Sequence, residues 1–118
     1  MAQLRLNTGE VVEYEGEVDS DKLPHGYGKM WRLNGERYEG EFFEGKRHGK
    51  GKYFYPDGAY YEGESQNNMR HGYGVFVYPN RSFDAGIWKN GNLVEKHYEN
   101  NEMCYLGENG EIRYRDPR

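Results

Sequence analysis

The sequence predicts an all-β fold, an elongated single-layer antiparallel sheet of stacked 23-residue β-hairpins, and three observations carry that prediction. His-Gly pairs at His25, His48 and His71 recur every 23 residues, and each opens HG-x-G: HGYG, HGKG, HGYG. The string YEGE begins at Tyr14, Tyr38 and Tyr61, spaced by 24 and then 23 residues. Self-similarity at a fixed period marks a repeat architecture, in which each unit buries its apolar face only against its neighbours. Composition is the third observation: 17 glycines and 12 tyrosines stand beside 4 prolines, so the apolar surface lies mainly in rings that can pack on one layer. A chain that is 31% charged cannot fill a thick aliphatic core, yet its 16% aromatic content separates it from disordered chains. With 118 residues, one domain is predicted over 1–118.

The domain opens with a partial unit over 1–13, where LNTGEVVEYEG reads beside LNGERYEG. Repeats follow at 14–37, 38–60 and 61–83, the first carrying one extra residue in VDSDKLP. Around the second repeat, residues 37–43 and 48–55 are ring-rich and alternating, which predicts strands. The sets Glu44-Gly45-Lys46-Arg47 and Pro56-Asp57-Gly58-Ala59 predict the turns that flank them. Residues 84–118 form a degenerate unit and a C-terminal cap. Asp84 takes the tyrosine position, Gly86 and Trp88 match Gly40 and Phe42, and Val94-Glu95 stand where a fourth His-Gly pair is due. Alternation over 93–118, with turn signals at Asn100-Asn101 and Asn109-Gly110, predicts two or three closing strands, a short helix over 94–104 being the alternative.

A four-residue turn at 44–47 sets the register of the hairpin. Tyr38 then faces Tyr53, Gly40 faces Gly51 and Phe42 faces Gly49, all on one side of the sheet. On the other side Glu41 meets Lys50 and Glu39 meets Lys52, pairs worth roughly 0.2–1 kcal/mol each. Glycine weakens a strand unless something uses the space. Here the expected use is a floor at positions 40, 49 and 51 on which neighbouring rings lie flat.

The segment YEGEFFEGKRHGKGKYFYPDG resembles the MORN repeat (membrane occupation and recognition nexus), with its Y-x-G-x-[WF]…G…HG-x-G pattern. The likeness is close over 38–79, good over 14–37 and partial over 80–91. It implies stacked hairpins in an elongated sheet, no catalysis by the repeats, and service as a scaffold or partner-binding module. Such repeats occur in ciliary radial-spoke proteins, junctional membrane proteins, plant phosphoinositide kinases and a SET-domain lysine methyltransferase.

Gly40-x4-Gly45-Lys46 comes within one residue of a phosphate-binding loop, but Arg47 stands where a Mg²⁺-holding hydroxyl is needed. His25, His48 and His71 fall one hairpin apart, roughly 9–10 Å, which is too far to share a zinc ion. They read as turn-stabilising residues, and no metal or cofactor is expected. Cys104 with His97 lacks a group to orient a base, so the chain is not expected to be an enzyme. The basic cluster Lys46, Arg47, Lys50 and Lys52 suggests contact with anionic lipid such as phosphoinositide. A net charge of −4 argues against nucleic acid.

The ring-and-glycine side, comprising Tyr14, Tyr38, Phe42, Tyr53, Tyr55, Tyr61, Phe76, Tyr78 and Trp88, is the expected partner groove. Tyr38, Phe42, Tyr53, Tyr61, Phe76 and Trp88 are its candidate contacts for a helix or extended segment of a partner protein. Open strands at both ends offer edge-to-edge pairing of copies. The single cysteine and the lack of a secretory h-region near the start point to a cytoplasmic setting, and the resemblance implies a cytoskeletal or ciliary assembly.

Overall fold

The computed structural model describes residues 2–6, 9–99, 104–108 and 111–114. Nine strands form one open antiparallel sheet in sequence order: β1 (Ala2–Arg5), β2 (Val11–Val18), β3 (Pro24–Trp31), β4 (Arg37–Phe43), β5 (Lys46–Phe54), β6 (Tyr60–Gln66), β7 (Met69–Val77), β8 (Phe83–Lys89) and β9 (Asn92–Glu99). A separate hairpin of β10 (Cys104–Leu106) and β11 (Ile112–Tyr114) follows. The molecule measures 56 × 23 × 19 Å. No helix occurs among the described residues, and the helix considered over 94–104 is replaced by β9 as far as Glu99.

A single row of glycines crosses seven strands. Gly16, Gly28, Gly40, Gly51, Gly63, Gly74 and Gly86 pair one after another from β2 to β8. Beside it runs a second row, Tyr14, Met30, Tyr38, Tyr53, Tyr61, Phe76 and Asp84. Tyr14, Tyr38 and Tyr61 lie down across the glycine row. A Cβ placed on Gly28, Gly51 or Gly74 would come within 2.2, 2.2 and 2.1 Å of the respective hydroxyls. Each hydroxyl donates to the backbone oxygen three residues on, at Glu17, Glu41 and Glu64. The tyrosine and the glutamates of YEGE thus act through one local hydrogen bond and one row of missing side chains.

Beyond the glycine row the register departs from expectation. Tyr38↔Tyr53 and Gly40↔Gly51 pair as predicted, but Phe42 then faces Arg47 and Phe43 faces Lys46. The turn is two residues, Glu44-Gly45, both at positive φ (50° and 83°). Such a turn follows the strand twist, and it takes the place of the four-residue turn expected over 44–47. The slack is taken up in a bulge at Gly49, whose φ is +96°. Gly49 is therefore a bend and not a floor, and Glu41 does not meet the Lys50 ammonium. Its carboxylate accepts from the Lys50 amide at 2.7 Å. Glu17 and Glu64 do the same for the Tyr27 and Tyr73 amides, both at 2.9 Å. In HG-x-G the first glycine makes the bulge and the second lies under a tyrosine.

Asn67-Asn68 and Asn90-Gly91 repeat the two-residue turn with positive φ throughout. Each turn is tied to the preceding hairpin: the amides of Gly45, Asn68 and Gly91 donate to the carbonyls of Pro24, Arg47 and Arg70. His25 adds a turn contact, its Nδ1 accepting from the Glu44 amide at 3.3 Å. At the opposite end Asn34, Asp57 and Asn80 accept from the amides two residues on, which closes the turns between repeats.

The core lies on both sides of the sheet, unequally. The larger cluster gathers Val12, Tyr14, Met30, Tyr38, Phe42, Tyr53, Tyr61 and Trp88 on the ring side. The smaller gathers Val77, Phe83, Ala85 and Leu106 on the other side, with Ile112 packed against it. The β10–β11 hairpin therefore caps the reverse face near β7 and β8.

Candidate functional site

Alternation along β4 to β7 gives the two faces opposite fates. On the ring face, side chains close over the backbone. Phe42 meets Tyr14 and Tyr38 edge-on with centroids 5.5 and 5.1 Å apart, and Trp88 meets Tyr61 at 5.6 Å. Trp88 Nε1 also donates to the Gly74 carbonyl at 2.9 Å. Tyr38 is 1% exposed and Tyr61 2%, while Phe42, Tyr53 and Trp88 are also buried. Burial pushes the Tyr14 and Tyr38 hydroxyls up to about 12 and raises Tyr61 and Tyr53 as well. For Tyr14 and Tyr38 the Glu17 and Glu41 carboxylates add to the shift, while for Tyr38 the Arg47 guanidinium opposes it.

Of the six expected partner contacts, five are therefore filled by their own neighbours. Phe76 alone stays partly open, stacked between Tyr55 at 5.7 Å and Tyr78 at 4.9 Å. The rings that recur most regularly are those the sheet uses for itself.

The reverse face is open. A trough of about 860 Å³ crosses β3 to β7, bounded by Tyr27, Tyr60 and Tyr73 and reaching Val75, Val77 and Ile112 of the cap region. The glycine backbone at 40, 51 and 63 lies in its floor. Tyr27 is 57% exposed and Tyr73 41%, although both occupy the x of HG-x-G. The charges in the trough are mostly acidic: Glu39, Glu62, Glu64 and Glu111 against Lys50 and Lys52. Glu39 pairs across with Lys52 in register, yet its ion pair goes to Lys29 at 3.6 Å. The Lys52 ammonium sits 4.3 Å from the centroid of the Tyr60 ring. Sequence reasoning missed this surface because it weighed only the ring-and-glycine side as a groove; the parity of Tyr27, Tyr60 and Tyr73 relative to Tyr38 was the available signal.

The basic cluster does not stay together. Lys50 and Lys52 line the trough among carboxylates. Lys46 pairs with Phe43 at the turn. Arg47 emerges on the ring face, where its guanidinium stacks 4.4 Å from the Tyr53 centroid and donates to the Asn68 carbonyl. The His97 ring contacts the Glu95 carboxylate at 3.0 Å. Cys104 enters β10 opposite Tyr114.

The repeat unit seen in this geometry is one hairpin with its tyrosine-on-glycine contact and its glutamate-capped bulge. The family model for the MORN repeat matches residues 14–37, 38–60 and 61–83, more than half of the chain. The chain belongs to the MORN-repeat family. A search of curated proteins gives no match. MORN repeats form all-β scaffolds that serve as protein- or membrane-interaction modules. In this MORN chain the repeats supply a closed ring face and an open, mainly acidic trough.

Proposed function

We propose that this MORN chain is a non-catalytic scaffold that seats a segment of a partner protein in the trough on the reverse face. The observation that carries the reading is the trough itself. It is long enough to follow a segment across five strands, and it offers rings and aliphatic side chains beside an acidic lining. Exposed aromatic side chains on a rigid sheet anchor interfaces at low entropic cost. The acidic majority favours a segment that carries Lys or Arg beside apolar residues. A cytoplasmic assembly, cytoskeletal or ciliary, is the setting in which such a scaffold would work.

The test is site-specific photo-crosslinking in the native source, with a photoreactive phenylalanine analogue at Tyr60 or at Tyr55. The proposal expects one protein to be captured from Tyr60 in good yield and only weakly from Tyr55. Capture from Tyr55 alone would move the interface to the ring face and overturn it. The lipid reading has its own readout. Sedimentation with anionic vesicles that is lost on reversing Lys46, Lys50 and Lys52 together would make the basic hairpin a membrane contact.

A further inference from the structure

One departure from the repeat coincides with a cavity on the ring face. Positions 42, 65 and 88 are equivalent in the 23-residue frame and hold Phe42, Ser65 and Trp88. Phe42 and Trp88 each pack edge-on against the lying tyrosines, so two of the three equivalent sites are filled by a ring. At Ser65 no ring is supplied. A cavity of about 180 Å³ opens over it, lined by Tyr53, Tyr61, Asn68, Arg47 and Arg70 among others. At ~30 Å³ per water, that is room for several waters or for a tetrahedral oxyanion with some of its hydration.

The cavity is built of donors. Arg70 stacks among Tyr61, Phe76 and Trp88, with its guanidinium carbon 5.9, 5.0 and 4.9 Å from their centroids. Rings hold a guanidinium in place and favour its charge without neutralising it. Among the described residues no carboxylate or carbonyl takes a hydrogen bond from Arg70, and no carboxylate lines the cavity. Arg47 is oriented by its bond to the Asn68 carbonyl and by the Tyr53 ring, which leaves further N–H groups for a ligand. Ser65 is 9% exposed, and its hydroxyl makes no hydrogen bond to a described residue.

We propose that this cavity binds a phosphoryl oxyanion, a phosphomonoester or pyrophosphate, with Arg47 and Arg70 as its charged ligands and the Ser65 hydroxyl as a further donor. Two guanidiniums in one site call for a dianion, since a carboxylate would leave one charge over. The planar N–H fork is also the geometry that reads phosphate oxygens in pairs. The phosphoryl group could sit on a soluble compound or on a lipid headgroup, because the site opens on the sheet surface. The site is independent of the trough, which lies on the opposite face.

Titration with pyrophosphate, against sodium chloride of equal ionic strength, tests the proposal on the whole chain. The expected result is a saturable rise in Tm, with shifts of the side-chain N–H resonances of Arg47 and Arg70. Arg70→Gln should weaken binding at least tenfold, and Lys50→Gln, on the other face, should leave it unchanged. Ser65→Phe restores the missing ring. It should abolish binding while keeping Tm at or above that of the parent, which separates loss of the site from loss of the fold. Inositol trisphosphate and vesicles carrying phosphatidylinositol bisphosphate distinguish the sources: binding to either that is lost in Arg70→Gln supports the site and names its ligand. The proposal is overturned if pyrophosphate does no more than chloride, if Arg70→Gln and Ser65→Phe both bind undiminished, or if a glutamate-rich peptide binds where pyrophosphate does not.

Discussion

The two faces of the sheet share one backbone, and they differ in what the glycine row permits. On the ring face, a missing Cβ lets a tyrosine lie flat and reach a carbonyl three residues away. The surface becomes a second layer made of side chains. On the reverse face, Glu17, Glu41 and Glu64 hold the bulge amides. The rings of Tyr27 and Tyr73 stay well exposed. A one-layer sheet thus obtains a core without a second sheet, and the cost is a face that stays open. On the proposed function, the ring face carries stability and the reverse face carries the partner, so substitutions should sort by parity.

The largest contrast is expected between adjacent residues. A Cβ at Gly51 would lie 2.2 Å from the Tyr38 hydroxyl oxygen and 2.4 Å from its ring carbon. Gly51→Val must displace a ring that is itself buried, which by overpacking and loss of the Tyr38 contacts should cost about 3 kcal/mol or more. Lys52→Val, one residue on and facing the trough, should stay within about 0.5 kcal/mol. Urea midpoints for the two variants decide it. Equal losses would mean that the faces are not divided as described.

How far this division could be read from the sequence depends on the residue. The period gave the strands and their order, since each unit repeats the same alternation. Tyr38↔Tyr53 and Gly40↔Gly51 followed from it directly. The bulge at Gly49 did not, because a glycine that fills a floor and a glycine that makes a bend look alike in the string HGKG. What distinguishes them is φ, and that is set by the two-residue turn at Glu44-Gly45. The ring face was legible as a surface but not as a closed one, since closure depends on Phe42 and Trp88 reaching over to rings on other strands. The trough was legible only as the shared parity of Tyr27, Tyr60 and Tyr73. Its extent depends on where the β10–β11 hairpin folds back, with Leu106 and Ile112 against Val77 and Phe83.

Alkaline pH should act chiefly on the ring face, where burial raises Tyr14, Tyr38 and Tyr61 most, although burial raises Tyr60 on the reverse face as well. Tyr14 and Tyr38 ionise near 10 in the unfolded chain and at about 12 in the folded one, because burial disfavours the tyrosinate. Between those values the unfolded chain binds fewer protons than the folded one, so stability falls as pH rises. The tyrosine contribution is whole below about pH 10 and is lost by about pH 12. The urea midpoint should therefore drop over that interval, and tyrosinate absorbance should appear together with unfolding for the buried rings. If all twelve tyrosines titrate near 10 before the sheet unfolds, the ring face is not closed.

The smallest effect on stability should be the largest on recognition. Tyr27 and Tyr73 are chemically the same as Tyr14 and Tyr61, stand in the same repeats as these, and lie on the opposite side. Both are well exposed. Tyr73 is in contact with the His97 ring at a centroid distance of 6.4 Å, a peripheral packing. Substituting Tyr27 and Tyr73 together by Ser removes two apolar walls of the trough while leaving the backbone contacts of Glu17 and Glu64 in place, since these use main-chain N–H groups. The double variant should unfold within about 1 kcal/mol of the parent, because surface changes away from such features cost little. Its affinity for the partner captured at Tyr60 should fall at least tenfold, as expected when aromatic anchors are removed from an interface. Tyr55→Ser, on the ring face, serves as the matched control and should bind normally. A partner that tolerates the loss of both trough tyrosines but not of Tyr55 would reverse the assignment of the two faces.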